Sequence, residues 1–318
     1  MIILTGGAGF IGCNTLATLN RMDCTDILVV DNVGRSSKWQ NLVGKSFRHY
    51  VHKNALWPWL EKNDSEKVEA VIHLGACTDT MEKDFDYLAE NNVSYSQKLW
   101  RFCTDRRIPF IYASSAATYG DGGNGFSDAH AKTVHYKPIN PYGYSKHLFD
   151  LWALKQKQSP SQWYGIKFFN VYGPGENHKG RMASVPNFAI PQAKQNGKIR
   201  LFRSHLPGVK DGEQKRDFVY VQDVVDLVVH FLDSSAPSGL YNAGTGRSRS
   251  FNDLAKAIFS GLNIPGEIEY FEMPDDIKNS YQYFTEADMK KLIATGYHHA
   301  PVSLEEGIAR YVKWLSER

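Results

Sequence analysis

The sequence predicts an α/β chain built on a doubly wound parallel sheet, and three observations predict it. Short apolar, β-branched runs recur through the first half of the 318 residues. Longer amphipathic stretches separate them, so strand and helix signals alternate. A glycine-rich turn follows the first run directly. The runs carry no polar alternation, which marks strands covered by helices on both faces and joined by right-handed crossovers.

Residues 1–5 (MIILT) give the first strand and residues 11–19 the first helix. Residues 26–31 (DILVVD) give a second buried strand. Residues 68–74 (VEAVIHL) and 108–114 (IPFIYAS) repeat the pattern, with a helix over 86–106 between them. Residues 142–156 read as another helix and 164–171 (YGIKFFNV) as another strand. After Tyr172 the texture changes, because Gly173-Pro174-Gly175, Pro186, Pro191, Gly197 and Pro207-Gly208 break every periodic stretch. Strand-like and helix-like runs return over 216–226 (RDFVYVQDVVD), and residues 254–259 and 304–314 read as amphipathic helices. The expected division is a Rossmann-like domain, residues 1–170 and 216–243, with a smaller interleaved α/β substrate domain, residues 171–215 and 244–318.

Composition excludes several classes. Hydrophobic residues at 42% and charged residues at 22% are ordinary for a folded soluble chain. No apolar run approaches the roughly 18 residues that a membrane span needs. The opening MIILTGGAGF lacks a basic flank and a small-residue cleavage site, so it is no signal peptide. Thirty-seven Lys/Arg against 34 Asp/Glu leave a net +3, which does not mark a nucleic-acid protein. The charge is uneven, however: nine Lys/Arg and two Asp/Glu stand between Lys179 and Arg216, as an anion site would require. Cys13, Cys24, Cys77 and Cys103 form no C-x-x-C and have no His at metal spacing. No metal and a reduced, cytoplasmic compartment are therefore expected.

Residues 6–12 (GGAGFIG) contain G-x-x-G-x-x-G between strand and helix. Gly6, Gly9 and Gly12 answer the needs of a dinucleotide site: a tight turn, close approach of backbone to pyrophosphate, and close helix–strand packing. The helix N-terminus adds orphan N–H groups for the phosphates. Asp31, ending the second strand, stands where a ribose-binding acid belongs. On its own Asp31 favours NAD, but Asn32, Arg35, Ser36, Ser37 and Lys38 follow at once. Two cations and small hydroxyls suit a 2′-phosphate, so NADP is the expected cofactor.

A hydroxyl-rich strand end, IYASSAATYG over 111–120, is followed by Tyr142-Gly143-Tyr144-Ser145-Lys146. The Y-x-x-x-K spacing puts phenol and ammonium on one helical face. A free tyrosine has a pKa near ~10, and adjacent cations favour its phenolate. Tyr142 is then the base that takes a proton from a substrate hydroxyl as hydride leaves the same carbon. Lys146 supplies the cation and Ser115 holds the oxygen. His49, His52 and His73 show no ligand spacing and are expected to be packed or solvated.

TGGAGFIG, ASSAATYG and YGYSK resemble the extended short-chain dehydrogenase/reductase superfamily, the nucleotide-sugar epimerases and dehydratases. DILVVDN, Gly75-Ala76-Cys77, Asn91-Asn92, FFNVYGP (168–174), HKG (178–180) with MASV (182–185), KRDFVYV (215–221) and YQYFTEAD (281–288) sharpen this. Nearly end to end, they resemble the family of ADP-L-glycero-D-manno-heptose 6-epimerases. That resemblance implies NADP-dependent inversion at C6 of ADP-heptose for the lipopolysaccharide inner core, by transient oxidation to a ketone. It also implies a homo-oligomer, with a pentamer as one form. Inversion needs an acid/base group on each side of the carbon, and Lys179 matches the second beside Tyr142. Phe10, Ile11, Asp31, Asn32, Lys38, Lys53, Leu74, Gly75, Ala76, Cys77, Thr78, Asn91, Lys146 and Val171 match cofactor positions, with Lys179 at their edge. Ser115, Asn170, Arg181, Leu201, Phe202, Arg203, Ser204, Arg216 and Tyr281 fall at substrate positions, and Arg216 suits a pyrophosphate clamp.

The chain departs from the pattern in its substrate half. Arg181 stands where the family carries Ser, and Asn187-Phe188 where it carries His, which leaves Phe188 as a substrate-side candidate. The 203–214 loop is longer. Another NAD(P)-dependent nucleotide-sugar epimerase or reductase is the alternative. A dehydratase is disfavoured, since Ala116-Ala117 replaces the acidic pair that eliminates water. A silent NADP-binding regulator would be expected to have lost Tyr142 or Lys146.

Overall fold

The structure, a computed structural model, describes residues 1–278 and 281–317. Its frame is a seven-stranded sheet, parallel throughout. From one edge the strands are Gly239–Ala243, Trp163–Phe168, Phe110–Ser115, Ala70–His73, Ile2–Thr5, Ile27–Asp31 and His49–His52. The alternation of side chains along fully buried strands explains the two cores. Ile3, Leu28, Val30 and Val71 point to one face, against Leu99, Trp100 and Phe149. Leu4, Val29 and Ile72 point to the other, with Leu16, Leu19, Val225 and Val228.

Chain order reverses between Ile2–Thr5 and Ala70–His73, which are hydrogen-bonded neighbours. The crevice at the carboxyl ends of such a pair is where open α/β sheets bind ligands. The helix Phe10–Arg21 follows the first strand, and the helix Val221–His230 packs against it. The helix Pro141–Leu154 begins where Asn140 Oδ1 accepts from Gly143 N at 2.7 Å and Pro141 occupies the first turn.

Three elements differ from the sequence expectation. The helix expected over 86–106 is interrupted: Phe85–Leu88 passes through a π-helical turn, Ala89–Ser94, into Tyr95–Arg106. The strand expected over 164–171 divides into Trp163–Phe168 in the main sheet and Asn170–Tyr172, which pairs in parallel with Phe218–Tyr220. The helix Val185–Asn196 forms despite Pro186 and Pro191, and it ends at Gly197 with φ 68°. Pro186 sits in its first turn, where no N–H is needed. A small lobe holds this helix, the parallel strands Lys198–Phe202 and Glu267–Phe271, and the helices Phe251–Leu262 and Leu304–Ser316. Among the described residues no helix is long and apolar enough to cross a membrane.

Candidate active site

The two glycine turns at the switch point touch. A Cβ on Gly6, whose φ is +70°, would stand 2.6 Å from Gly75 N, and one on Gly12 would stand 2.0 Å from Gly6 O. Only hydrogen fits at either position. Behind these turns lies a cavity of about 440 Å³. Gly6, Gly9, Phe10, Ile11 and Gly12 line it on one side and Leu74, Gly75, Ala76, Cys77 and Thr78 on the other. Asp31, Asn32, Lys38, Lys53, Asn91 and Lys179 complete the expected set, whereas Lys146 and Val171 do not line the cavity. Tyr87 and Tyr95 also line it, and no sequence signal singled them out; His178 and Met182 line it too, from the HKG and MASV motifs, where neither was named as a site residue.

Asp31 is buried and fully engaged. Its Oδ2 accepts from Ala8 N at 2.9 Å, and its Oδ1 accepts from Asn32 N at 2.7 Å and from the Lys38 ammonium. Lys53 donates to Asn91 Oδ1.

A buried relay holds the opposite wall. Gly75 N donates to Thr5 Oγ1 at 3.1 Å, which lies 2.6 Å from His73 Nδ1. His73 Nε2 lies 2.9 Å from Ser96 Oγ, which donates to Asn92 O at 2.7 Å. Read along the chain of donors, His73 carries its proton on Nε2. Burial pushes its pKa down to about 3, so the ring is a neutral packing element, as expected from the sequence. Asn92, on the π-helical turn, brackets Cys77: its Oδ1 accepts from Cys77 N at 2.8 Å and its Nδ2 donates to Cys77 O at 3.0 Å. Mid-helix π turns recur at functional sites.

Ser115 ends the strand Phe110–Ser115, and Tyr142 and Lys146 lie one turn apart on the helix Pro141–Leu154. Lys146 Nζ donates to Ala113 O at 3.0 Å. Burial lowers the Lys146 pKa to about 8, while the charges of Asp150 and Cys77 oppose that shift. Burial raises the Tyr142 phenol, and a hydrogen bond with Ser115 pulls it back. Tyr142 also feels the charge of Cys77 on the cavity wall.

Lys179 comes from the segment Asn177–Met182, with its ammonium 5.5 Å above the Phe10 ring. Burial lowers its pKa, with Glu176 opposing. Glu176 is itself buried and anchors the segment, accepting from Ser184 N and Ser184 Oγ at 2.6 Å each. His178 Nδ1 lies 3.1 Å from Asn41 Nδ2. Arg181 is exposed, with its guanidinium 3.5 Å from Asp79 at the cleft mouth.

On the small-lobe side, Arg216 is buried between the rings of Tyr281 and Phe251, its guanidinium carbon 4.9 and 5.8 Å from their centroids. Among the described residues no carboxylate pairs with it. Two other members of the basic block are answered at the surface: Lys198 by Glu267 and Glu269, Arg203 by Asp211 and Glu272. A cavity of about 230 Å³ beside Arg216 is lined by the expected Phe188, Leu201, Phe202 and Tyr281. Arg200, Gln192, Phe251 and Phe271 line it too, unforeseen. Arg216, Arg203 and Ser204 lie outside that lining, Arg216 meeting it only through Tyr281 and Phe251, and Ser204 N donates to Asp211 at 2.9 Å. Asn170 is exposed, and its Oδ1 accepts from Thr285 Oγ1 at 3.1 Å. Asn187 turns inward to accept from Tyr311 at 2.9 Å.

The model of the NAD dependent epimerase/dehydratase family matches residues 2–244. The chain belongs to that family. It is 48% identical to the ADP-L-glycero-D-manno-heptose-6-epimerase of Fusobacterium nucleatum over 98% of this chain and 97% of that one. It is 46% identical to the enzyme of that name from Nitratidesulfovibrio vulgaris over 98% and 97%. Among solved structures, the ADP-L-glycero-D-manno-heptose-6-epimerase of Helicobacter pylori superposes with a TM-score of 0.84 at 26% identity, covering 99% of this chain and 96% of that one.

The resemblance read from the motifs thus holds for the family, and a nicotinamide dinucleotide is the epimerase's cofactor. The residues present fit that group on the geometry alone. The helix Phe10–Arg21 has no side-chain cap and no acid in its first turn, so its first N–H groups are left for an anion. The glycine contacts hold those groups against the cavity, whose volume suits a bound ligand. Lys38 and Lys53 bring cations to the same space.

Proposed function

We propose that this epimerase inverts C6 of an ADP-linked heptose, interconverting ADP-D-glycero- and ADP-L-glycero-D-manno-heptose for the lipopolysaccharide inner core. One observation supports the reading: of two acid/base candidates on separate elements, Lys179 lines the cofactor cavity, and Tyr142, outside that lining, neighbours its wall residue Cys77. Tyr142 stands on the helix Pro141–Leu154, beside Cys77, and Lys179 stands on the segment Asn177–Met182.

When bound, the nicotinamide supplies a reversible hydride acceptor that takes the carbinol carbon to a ketone and back. Tyr142 Oη takes the hydroxyl proton, and Ser115 Oγ holds the oxygen. The Lys146 cation lowers the cost of the Tyr142 phenolate. Lys179, with its basicity reduced by burial, exchanges the proton once the carbonyl has turned. Arg216 clamps the pyrophosphate, and the apolar cavity beside it takes the base. Ala116-Ala117 after Ser115 offers no acid for eliminating water. The proposed nicotinamide is NADP, because Lys38 already neutralises Asp31 and so lifts the repulsion that Asp31 would exert on a 2′-phosphate. The reading includes a homo-oligomer, checked by light scattering.

The test is incubation with NADP and ADP-D-glycero-D-manno-heptose deuterated at C6, followed by separation of the epimers. Label retained at C6 in both epimers supports oxidation and return. Exchange with solvent there points instead to direct deprotonation, and absence of turnover overturns the substrate. Tyr142→Phe is expected to abolish epimerisation and leave NADP bound.

A further inference from the structure

One buried ion pair lies outside the machinery described so far. Asp150 stands one turn beyond Lys146 on the same helical face, and its Oδ2 lies 2.5 Å from Lys167 Nζ on the neighbouring strand. Both side chains are fully inaccessible. Burying two charges costs several kcal/mol per ion (an order-of-magnitude figure) unless every remaining lone pair and proton is satisfied. Here they are. Tyr112 Oη donates to Asp150 Oδ1 at 3.0 Å and Ser114 Oγ donates to Oδ2 at 2.7 Å. Lys167 Nζ also donates to Thr118 Oγ1 at 2.8 Å, and Thr118 Oγ1 donates to Ser115 O at 2.8 Å.

Every branch of this network ends on the strand end that carries Ser115 or on the helix that carries Tyr142 and Lys146. Ser114 is held through its side chain and Ser115 through its carbonyl. We propose that Asp150, clamped by Lys167, is a positioning residue for the epimerisation: it fixes Ser115 against Tyr142 and is the buried counter-charge to Lys146. The proposal rests on the Tyr142 reading above.

The charged and titratable groups around Asp150 are Tyr142, Lys146 and His147 on its own helix, Lys167 and Tyr112 on the flanking strands, and Tyr119 and His130 behind them. Lys291 lies behind Lys167. Of the charges acting on Lys146, that of Asp150 is the foremost favouring the cation. With that charge removed, Lys146 gives up its proton at lower pH, and Tyr142, whose phenol the same charge holds up, ionises at lower pH too, so both limbs of the profile move the same way.

The test is the pH profile of kcat/KM for Asp150→Asn, together with the kcat and KM values and thermal melts. The alkaline limb is expected to move to lower pH, by on the order of one unit. The value of kcat should fall by ~10-fold or more, with KM nearly unchanged. If Asp150→Asn does not fold, the double variant Asp150→Asn/Lys167→Met, which removes both buried charges, is measured instead: kcat should fall in the same way, while the alkaline shift is smaller because the Lys167 cation goes too. A folded single or double variant with a wild-type profile and kcat overturns the proposal and leaves the pair a structural brace. Tyr142→Phe is measured alongside: if it stays active, the mechanism itself fails, whatever Asp150 does.

Discussion

Asn92 Nδ2 donates to Ser145 Oγ at 2.9 Å, and Ser145 Oγ donates to Tyr142 O at 2.7 Å. The same Asn92 side chain holds Cys77 from both sides, so one amide joins the cavity wall to the first turn of the helix Pro141–Leu154. Asn92→Leu leaves the half-buried N–H and C=O of Cys77 without their partners and takes one donor from Ser145 Oγ, which keeps its bond to Tyr142 O. It should cost roughly 3 kcal/mol of stability, since an unsatisfied buried group costs about 1–3 kcal/mol. It should also weaken cofactor binding, because Cys77 lines that cavity. Denaturant unfolding and a cofactor titration read both effects, and a variant with native stability would show that the junction is held elsewhere.

Asn92 also marks where sequence reasoning stops. The motif Asn91-Asn92 was visible, but the neighbouring periodicity predicted an unbroken helix. A π turn inserts a single residue that hydropathy does not register, and that insertion decides which amide meets Cys77. The sheet was legible because its strands are buried on both faces and read as unbroken apolar runs. Two strands escaped: His49–His52 is an edge strand that buries only Val51, and Gly239–Ala243 (GLYNA), at the other edge, is buried throughout but is no unbroken apolar run. Gly6, Gly12, Tyr142 and Lys146 were legible because each answers a local steric or spacing demand. The cavity beside Arg216 was legible only in part. Phe251 and Phe271 reach it through packing of distant segments, which leaves no periodic trace.

Lys38 is expected to choose between the two nicotinamide dinucleotides. Its ammonium contacts Asp31 Oδ1, the carboxylate closest to where the ribose is expected. Lys38→Ala uncovers the Asp31 charge and removes a cation together. The NADP dissociation constant should rise by ~10-fold or more, while that for NAD stays level or falls. Calorimetric titration with each cofactor gives the ratio. Equal weakening of both would place the 2′-phosphate away from Lys38.

Acid stability should depend on His73. Its pKa in the fold is about 3, against 6.5 for the unperturbed ring. Below pH 6.5 the unfolded chain gains a proton that the folded chain refuses. Stability is therefore lost as pH falls, at up to ~1.4 kcal/mol per unit until about pH 3. His130 and His178, both depressed to about 4 by burial, add slopes of the same sign. His73→Gln is expected to reduce the dependence of unfolding free energy on pH between 7 and 4 by close to one proton. The slope is the readout, so any constant loss from the broken relay does not affect it. An unchanged slope would mean that the buried ring already accepts the proton.

Arg216 should show a conflict between stability and binding. Its guanidinium is buried between two aromatic rings, and among the described residues its one acceptor is Lys215 O at 3.0 Å. A buried cation without a carboxylate is costly, which is why burial lowers even this pKa. In the free enzyme, then, Arg216→Met should raise stability by about 1–3 kcal/mol, because it exchanges an uncompensated charge for apolar packing of similar volume. Function would run the opposite way. With the pyrophosphate proposed as the missing counter-charge, ADP should raise the wild-type melting temperature and leave that of Arg216→Met unmoved. Turnover of the variant should show a large rise in KM for the nucleotide sugar with cofactor affinity intact. If the variant is less stable than wild type without ligand, the rings and the Lys215 carbonyl already compensate the charge, and the guanidinium is a brace. If it is more stable and blind to ADP, the site keeps an unpaired charge in its core because binding the substrate requires it.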